Sequence, residues 1–85
     1  MTPAVTVYSK PQCVQCDRTK SRLDREGVDY TSVDITTDQD AYDYVSQIGY
    51  QAAPVVVVNN GEDEDTHWYG YRPDMIRQYI LNGGK

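Results

Sequence analysis

Apolar positions fall in short clusters along the chain, and the spacing within them changes from one cluster to the next. Val5-Thr6-Val7-Tyr8 is short and β-branched, which predicts a strand. Pro11 and Gln12 interrupt it. Residues 13–26 are mostly helix formers, and Gly27 stands where a helix stops. The apolar period there is thin and rests on Val14, Cys16 and Leu23. Residues 30–35 predict a second strand, half-buried at most because polar residues separate the apolar ones. Thr37 is then placed as a helix N-cap, with Asp38 and Asp40 in a first turn that favours anions. Tyr44, Val45 and Ile48 share one face of this helix, and Gly49 ends it.

The next run, Val55-Val56-Val57-Val58, is apolar throughout, as in a strand covered on both faces. Asn59-Asn60-Gly61 signals a turn, Glu62-Asp63-Glu64-Asp65 a solvated acidic tip, and His67-Trp68-Tyr69 a returning strand. Pro73 suits the first turn of a last helix, with Met75, Ile76, Tyr79 and Ile80 on its buried side. Gly83-Gly84 releases the chain. The order is β-α-β-α-β-β-α. A strand–helix–strand opening implies a parallel pair with a right-handed crossover, and the later short turn implies an antiparallel pair. The expected class is α/β, a four-stranded mixed sheet with three helices on its faces.

At 85 residues there is room for one domain, taken as residues 1–85. The 13 Asp and Glu outnumber the 8 Lys and Arg, leaving a net charge of −5 that argues against nucleic acid as a partner. No apolar run approaches the roughly 20 residues that span a bilayer, and the N-terminus has no signal-peptide pattern. No membrane association is expected, and nothing suggests an obligate oligomer, so a monomer is expected. Two cysteines do not make a secreted disulfide framework, so a reducing cytoplasm is the expected location.

The chemistry lies in Lys10-Pro11-Gln12-Cys13-Val14-Gln15-Cys16. A Cys-x-x-Cys between a strand and a helix is a redox signature, because a separation of three brings both sulfurs to the first helical turn. Cys13 falls at the N-terminus, where unpaired N–H groups and the positive dipole end favour a thiolate. Lowering a thiol pKa from about 8.5 to about 7 takes roughly 2 kcal/mol, within reach of a favourable helix terminus. Cys16 lies one turn inside, more shielded. Cys13 is thus expected to attack a substrate disulfide and Cys16 to resolve the mixed disulfide.

Other readings of the same residues are plainer. Two thiols are half of a structural zinc site, but such sites want four ligands and only His67 remains among the soft donors, so no metal is expected. Pro54 opens an apolar strand, where a missing N–H is tolerated. Its alternative is a cis Ala53–Pro54 bond facing the cysteines, with backbone groups free for an extended substrate. His67 reads as a surface strand residue, Trp68 as packed at a helix–sheet junction, and Arg72 as a brace there. Lys10, Arg18, Lys20, Arg22 and Arg25 cluster near the cysteines, either to steer an acidic partner or as an ordinary solvated face.

With these segments set side by side, the chain resembles the NrdH-redoxins, glutaredoxin-like proteins with thioredoxin-like behaviour. The resemblance runs from about Val5 to Ile80. It is carried by the stretch ending in Cys13-Val14-Gln15-Cys16, by Gly49-Tyr50-Gln51-Ala52-Ala53-Pro54, and by His67-Trp68-Tyr69-Gly70-Tyr71-Arg72-Pro73-Asp74. Ordinary glutaredoxins more often carry Cys-Pro-Tyr-Cys. The resemblance implies a thioredoxin-like fold and a cis peptide at Pro54. It implies an electron donor to the large subunit of class Ib ribonucleotide reductase, re-reduced by thioredoxin reductase. No cofactor would be bound, and NADPH would serve only through that reductase.

The resemblance makes Cys13 the nucleophile and Cys16 the resolving thiol. Partner contacts are expected at Lys10, Val14, Gln15, Ala53, Pro54, Trp68, Gly70 and Arg72, the last three also bracing the neighbouring loop. Glutathione-binding glutaredoxins show Thr-Val-Pro at the cis position and a Gly-Gly segment followed by Asp after the last strand. Here these are Ala52-Ala53-Pro54 and Gly70-Tyr71-Arg72-Pro73-Asp74. The chain also departs from the NrdH pattern, with Tyr69 for the usual Ser, Tyr71 for Phe, Gln51-Ala52-Ala53-Pro54 for Leu-Gln-Ala-Pro, and a longer acidic turn. A glutathione-dependent glutaredoxin and a non-catalytic redox switch are the competing functions.

Overall fold

The computed structural model describes residues 4–59 and 65–81. The elements run β1 (Ala4–Ser9), α1 (Val14–Arg25), β2 (Thr31–Asp34), α2 (Gln39–Gln47), β3 (Val55–Asn59), β4 (Thr66–Tyr69) and α3 (Pro73–Ile76). The last helix widens into a π-helical turn over Arg77–Leu81. The sheet order is β2-β1-β3-β4. β1 and β2 are parallel, Thr6 facing Thr31, whereas β1–β3 and β3–β4 are antiparallel, Val7 facing Val56 and Val56 facing Trp68. This is the mixed sheet of the thioredoxin-like fold.

The pleat of β3 sorts the unbroken valine run onto two cores. Val56 and Val58 join Val5, Val7, Leu23, Trp68, Ile76 and Ile80 beneath α1 and α3. Val55 and Val57 join Val45 on the other face, beneath α2, with Tyr8, Ile35, Tyr44, Ile48 and Tyr50 around them. All four valines are buried, as expected for a strand covered on both sides. Leu23 is fully buried, which stabilises the fold by roughly 1.5–3 kcal/mol relative to exposure.

Both glycine stops close their helices in the same way. Gly27 N–H bonds Asp24 O and Val28 N–H bonds Leu23 O; Gly49 N–H bonds Ser46 O and Tyr50 N–H bonds Val45 O. These paired bonds satisfy carbonyls that a helix end otherwise leaves open.

Several expectations need correction. Val14 is 68% exposed, so the buried stripe of α1 is Cys16, Thr19 and Leu23. Thr19 passes as apolar there because its hydroxyl donates to Gln15 O at 2.8 Å. The N-cap of α2 is Asp38, whose carboxylate accepts Ala41 N–H at 3.1 Å. Thr37 is one residue early and donates back to Asp34 O instead. Tyr79 is exposed, its ring 6.2 Å from that of Trp68, since the π-turn rotates it off the face held by Ile76 and Ile80. β2 is shorter than residues 30–35. Of the acidic tip only Asp65 lies among the described residues, and it is half-buried rather than solvated. The turn at residues 60–64 and Gly83-Gly84 lie outside them.

Candidate active site

β1 ends at Ser9, and the chain must turn before α1 can start. Gln12 makes that turn in the left-handed region at φ 57°. Cys13 follows in extended conformation as the N-cap of α1. Its Sγ accepts the N–H of Cys16 at 3.2 Å, the place a serine or aspartate oxygen takes in an ordinary cap. Cys13 and Cys16 are joined as a disulfide with their Cα atoms 5.2 Å apart. Cys16 has no exposed surface and Cys13 retains 8%. The two cysteines are the redox-active pair.

Two groups act oppositely on Cys13 once the bond is reduced. The Cys16 N–H and the helix terminus favour the thiolate. The carbonyl oxygen of Ala53, 3.7 Å from Sγ, can accept the proton of the thiol. The N–H of Cys16 is the closer of the two, at 3.2 Å, and lies in the first turn of α1, where backbone amides lack helical partners.

The Ala53–Pro54 bond is cis. Ala53 packs with Cys13 and Cys16, and Ile35 leans on the same cluster. The expected free backbone is only partly free, because Gly70 N–H donates to Pro54 O at 2.8 Å. This bond brings the end of β4 against the proline loop. Gly70 adopts φ 91°, and a Cβ there would stand 3.1 Å from Gln15 Oε1. That same oxygen accepts the N–H of Tyr71 at 3.1 Å. Gln15, between the cysteines, is therefore tied to the loop after β4.

The structure thus brings together Cys13, Cys16, Gln15, Ala53, Pro54 and Gly70. Lys10 and Val14 are exposed on either side of the turn into α1. Trp68 lies away from the sulfurs, in the core beneath α1 and α3, its indole Nε1 buried without a hydrogen-bond partner. Arg72 precedes α3 and holds Asp74 through Nε at 3.2 Å and Nη2 at 3.0 Å, bracing its own helix start. That pair raises the Arg72 pKa and lowers that of Asp74. His67 is half-buried rather than on the surface, its Nδ1 2.9 Å from the Tyr50 hydroxyl. Among the described residues no three His, Cys, Asp or Glu side chains are grouped to hold a metal, and no helix is long and apolar enough to cross a membrane.

Sequence reasoning missed the Gln15–Tyr71 and Tyr50–His67 contacts and the packing of Ile35 on the disulfide. Each joins residues distant in sequence, so no local pattern signals it. The interaction of Arg22 with the side chain of Tyr71, the largest influence raising the Arg22 pKa, is a further long-range link from α1 to this loop.

Comparison with known proteins agrees with this geometry. The glutaredoxin family profile matches residues 5–62. The Gene 56 protein of Mycobacterium phage L5 is 40% identical over 79 residues, covering 89% of this chain and 71% of its own length. The glutaredoxin-like protein NrdH of Salmonella typhimurium is 33% identical over 75 residues, covering 88% of this chain and 86% of its own. The structure of Escherichia coli NrdH-redoxin, a glutaredoxin-like protein with a thioredoxin-like activity profile, superposes with a TM-score of 0.78 at 30% identity, covering 89% of this chain and 93% of that one.

Proposed function

The chain belongs to the glutaredoxin family, in its NrdH-redoxin branch, and from that membership we propose that it carries electrons to the large subunit of a class Ib ribonucleotide reductase and is itself reduced by thioredoxin reductase. Thiol–disulfide exchange at Cys13 and Cys16 is the chemistry. The Cys13 thiolate attacks one sulfur of the substrate disulfide. That S–S bond breaks, and the other substrate sulfur leaves as a thiolate and takes up a proton. Cys16 then loses its proton and attacks Cys13 Sγ, releasing the second substrate thiol. Two electrons have passed to the substrate, and the Cys13–Cys16 disulfide is what the reductase must reduce, with NADPH as the source.

The observation that carries the choice of reductase is the state of the backbone donors after β4. A glutathione carboxylate would need such N–H groups, yet that of Gly70 is bonded to Pro54 O and that of Tyr71 to Gln15 Oε1. Breaking internal hydrogen bonds to bind a small tripeptide sacrifices roughly 0.5–1.5 kcal/mol each. The thioredoxin-like activity profile of the Escherichia coli relative supports the same choice.

The test is NADPH consumption during disulfide reduction, with thioredoxin reductase in one arm and glutathione plus glutathione reductase in the other. Turnover confined to the first arm is expected. Turnover confined to the second overturns the proposal.

A further inference from the structure

The charges of this chain are sorted across its sheet. Residues 10–25 carry five Lys or Arg and two Asp; residues 26–71 carry ten Asp or Glu and no Lys or Arg; residues 72–85 carry three Lys or Arg and one Asp. The fold places α1, which carries Arg18, Lys20, Arg22 and Arg25, on one face of the sheet. α2, from the acidic segment, covers the other. On a protein of net charge −5, α1 is thus locally cationic, with four Lys or Arg against two Asp, and the redox pair stands where it begins.

Along α1 the charges are aligned. Cys16, Thr19 and Leu23 turn inward on α1, so helical geometry puts Val14, Arg18 and Arg25 along the opposite, exposed side. Asp17 and Asp24 lie to one flank of that line. Among the described residues the ion pairs are Arg22–Glu26 and Arg72–Asp74, which leaves Arg18 and Arg25 without a carboxylate partner. Val14, 68% exposed beside Cys13, heads the line with an apolar side chain.

We propose that this stripe docks an acidic segment of the protein whose disulfide Cys13 attacks. The segment runs along α1 away from the cysteines. At 1.5 Å per helical residue, Arg18 lies about 7 Å and Arg25 about 18 Å along the axis from Cys13. An extended chain advances about 3.3 Å per residue. The complementary carboxylates therefore fall about two and about five residues from the attacked sulfur. The proposal rests on protein-disulfide reduction as the activity and adds the kind of sequence that is reduced fastest.

The test uses the reduced protein in single-turnover stopped-flow, so no reductase is involved. Two disulfide peptides are compared, alike except for Glu or Gln at the second and fifth positions from the cysteine. The acidic peptide is expected to react about tenfold faster at low ionic strength, the advantage shrinking at high salt as charges are screened. The Arg18→Glu/Arg25→Glu protein should reverse the preference, and the milder Arg18→Gln/Arg25→Gln protein should level it. Equal rates for the two peptides, or a preference unchanged in both variants, overturns the docking alone. Reaction with neither peptide overturns the docking together with the protein-disulfide reading.

Discussion

The side-chain oxygen of Gln15 accepts the backbone N–H of Tyr71, 56 residues later, and stands 3.1 Å from where a Cβ on Gly70 would lie. One atom thus ties the redox helix to the loop that follows the sheet. Gln15→Ala is expected to lower stability by about 1 kcal/mol, the net worth of one hydrogen bond. Gly70→Ala should cost more than about 1 kcal/mol, since its φ of 91° is unsuited to a side chain. The double variant should lose less than the sum, because Gln15→Ala removes the atom the new Cβ meets. Urea denaturation of the four proteins measures this; strict additivity would contradict the shared contact.

Cys16→Ser should accumulate the mixed disulfide between Cys13 and a substrate, visible as an adduct on non-reducing electrophoresis and by mass. Cys13→Ser should form none. An adduct formed through Cys16 instead would reverse the assigned order, against the full burial of that sulfur.

The cap of α2 separates two adjacent residues. Asp38→Ala should cost about 1 kcal/mol, because the Ala41 N–H loses its acceptor. Thr37→Ala should change stability by less than about 0.5 kcal/mol, as for a surface site. Equal losses in thermal denaturation would count against Asp38 as the cap.

Asp34 gives a pH prediction. Its carboxyl is held below the ordinary 3.8, first by the Thr36 hydroxyl and then by the Thr36 N–H. A carboxyl lowered in the folded state stabilises the fold above its unfolded pKa, and that contribution is lost as pH falls through the folded value. The contribution of Asp34 is therefore complete at neutral pH and fades only below about 3.8. Thr36→Val removes the hydroxyl and keeps the N–H. An NMR titration should show the Asp34 midpoint rising toward 3.8 without reaching it, whereas an unmoved midpoint would contradict the hydroxyl's role.

Much of this was legible from local chemistry. β-branched runs, glycine stops and the Pro73 start mark elements that tertiary contacts then confirm. The Cys13–Cys16 pair announces itself because spacing, position and residue type agree. The errors arose where a short-range rule met a longer-range one. Val14 looks like core by residue type, but α1 rests on its 16–19–23 stripe, and Thr19 joins it by satisfying its hydroxyl locally. Tyr79 fits a 3.6-residue period that the π-turn does not keep. The ties from Gln15 to Tyr71 and from Tyr50 to His67 depend on strand order, which no window along the chain contains.

The complete burial of Cys16 has a kinetic consequence. On the proposed order of attack, every electron pair enters and leaves through the single sulfur of Cys13, so the molecule that loads the protein and the molecule that empties it need the same doorway. They cannot be bound together in productive complexes. Turnover is then ping-pong: double-reciprocal plots should be parallel, and excess of either partner should slow the reaction by occupying the form meant for the other.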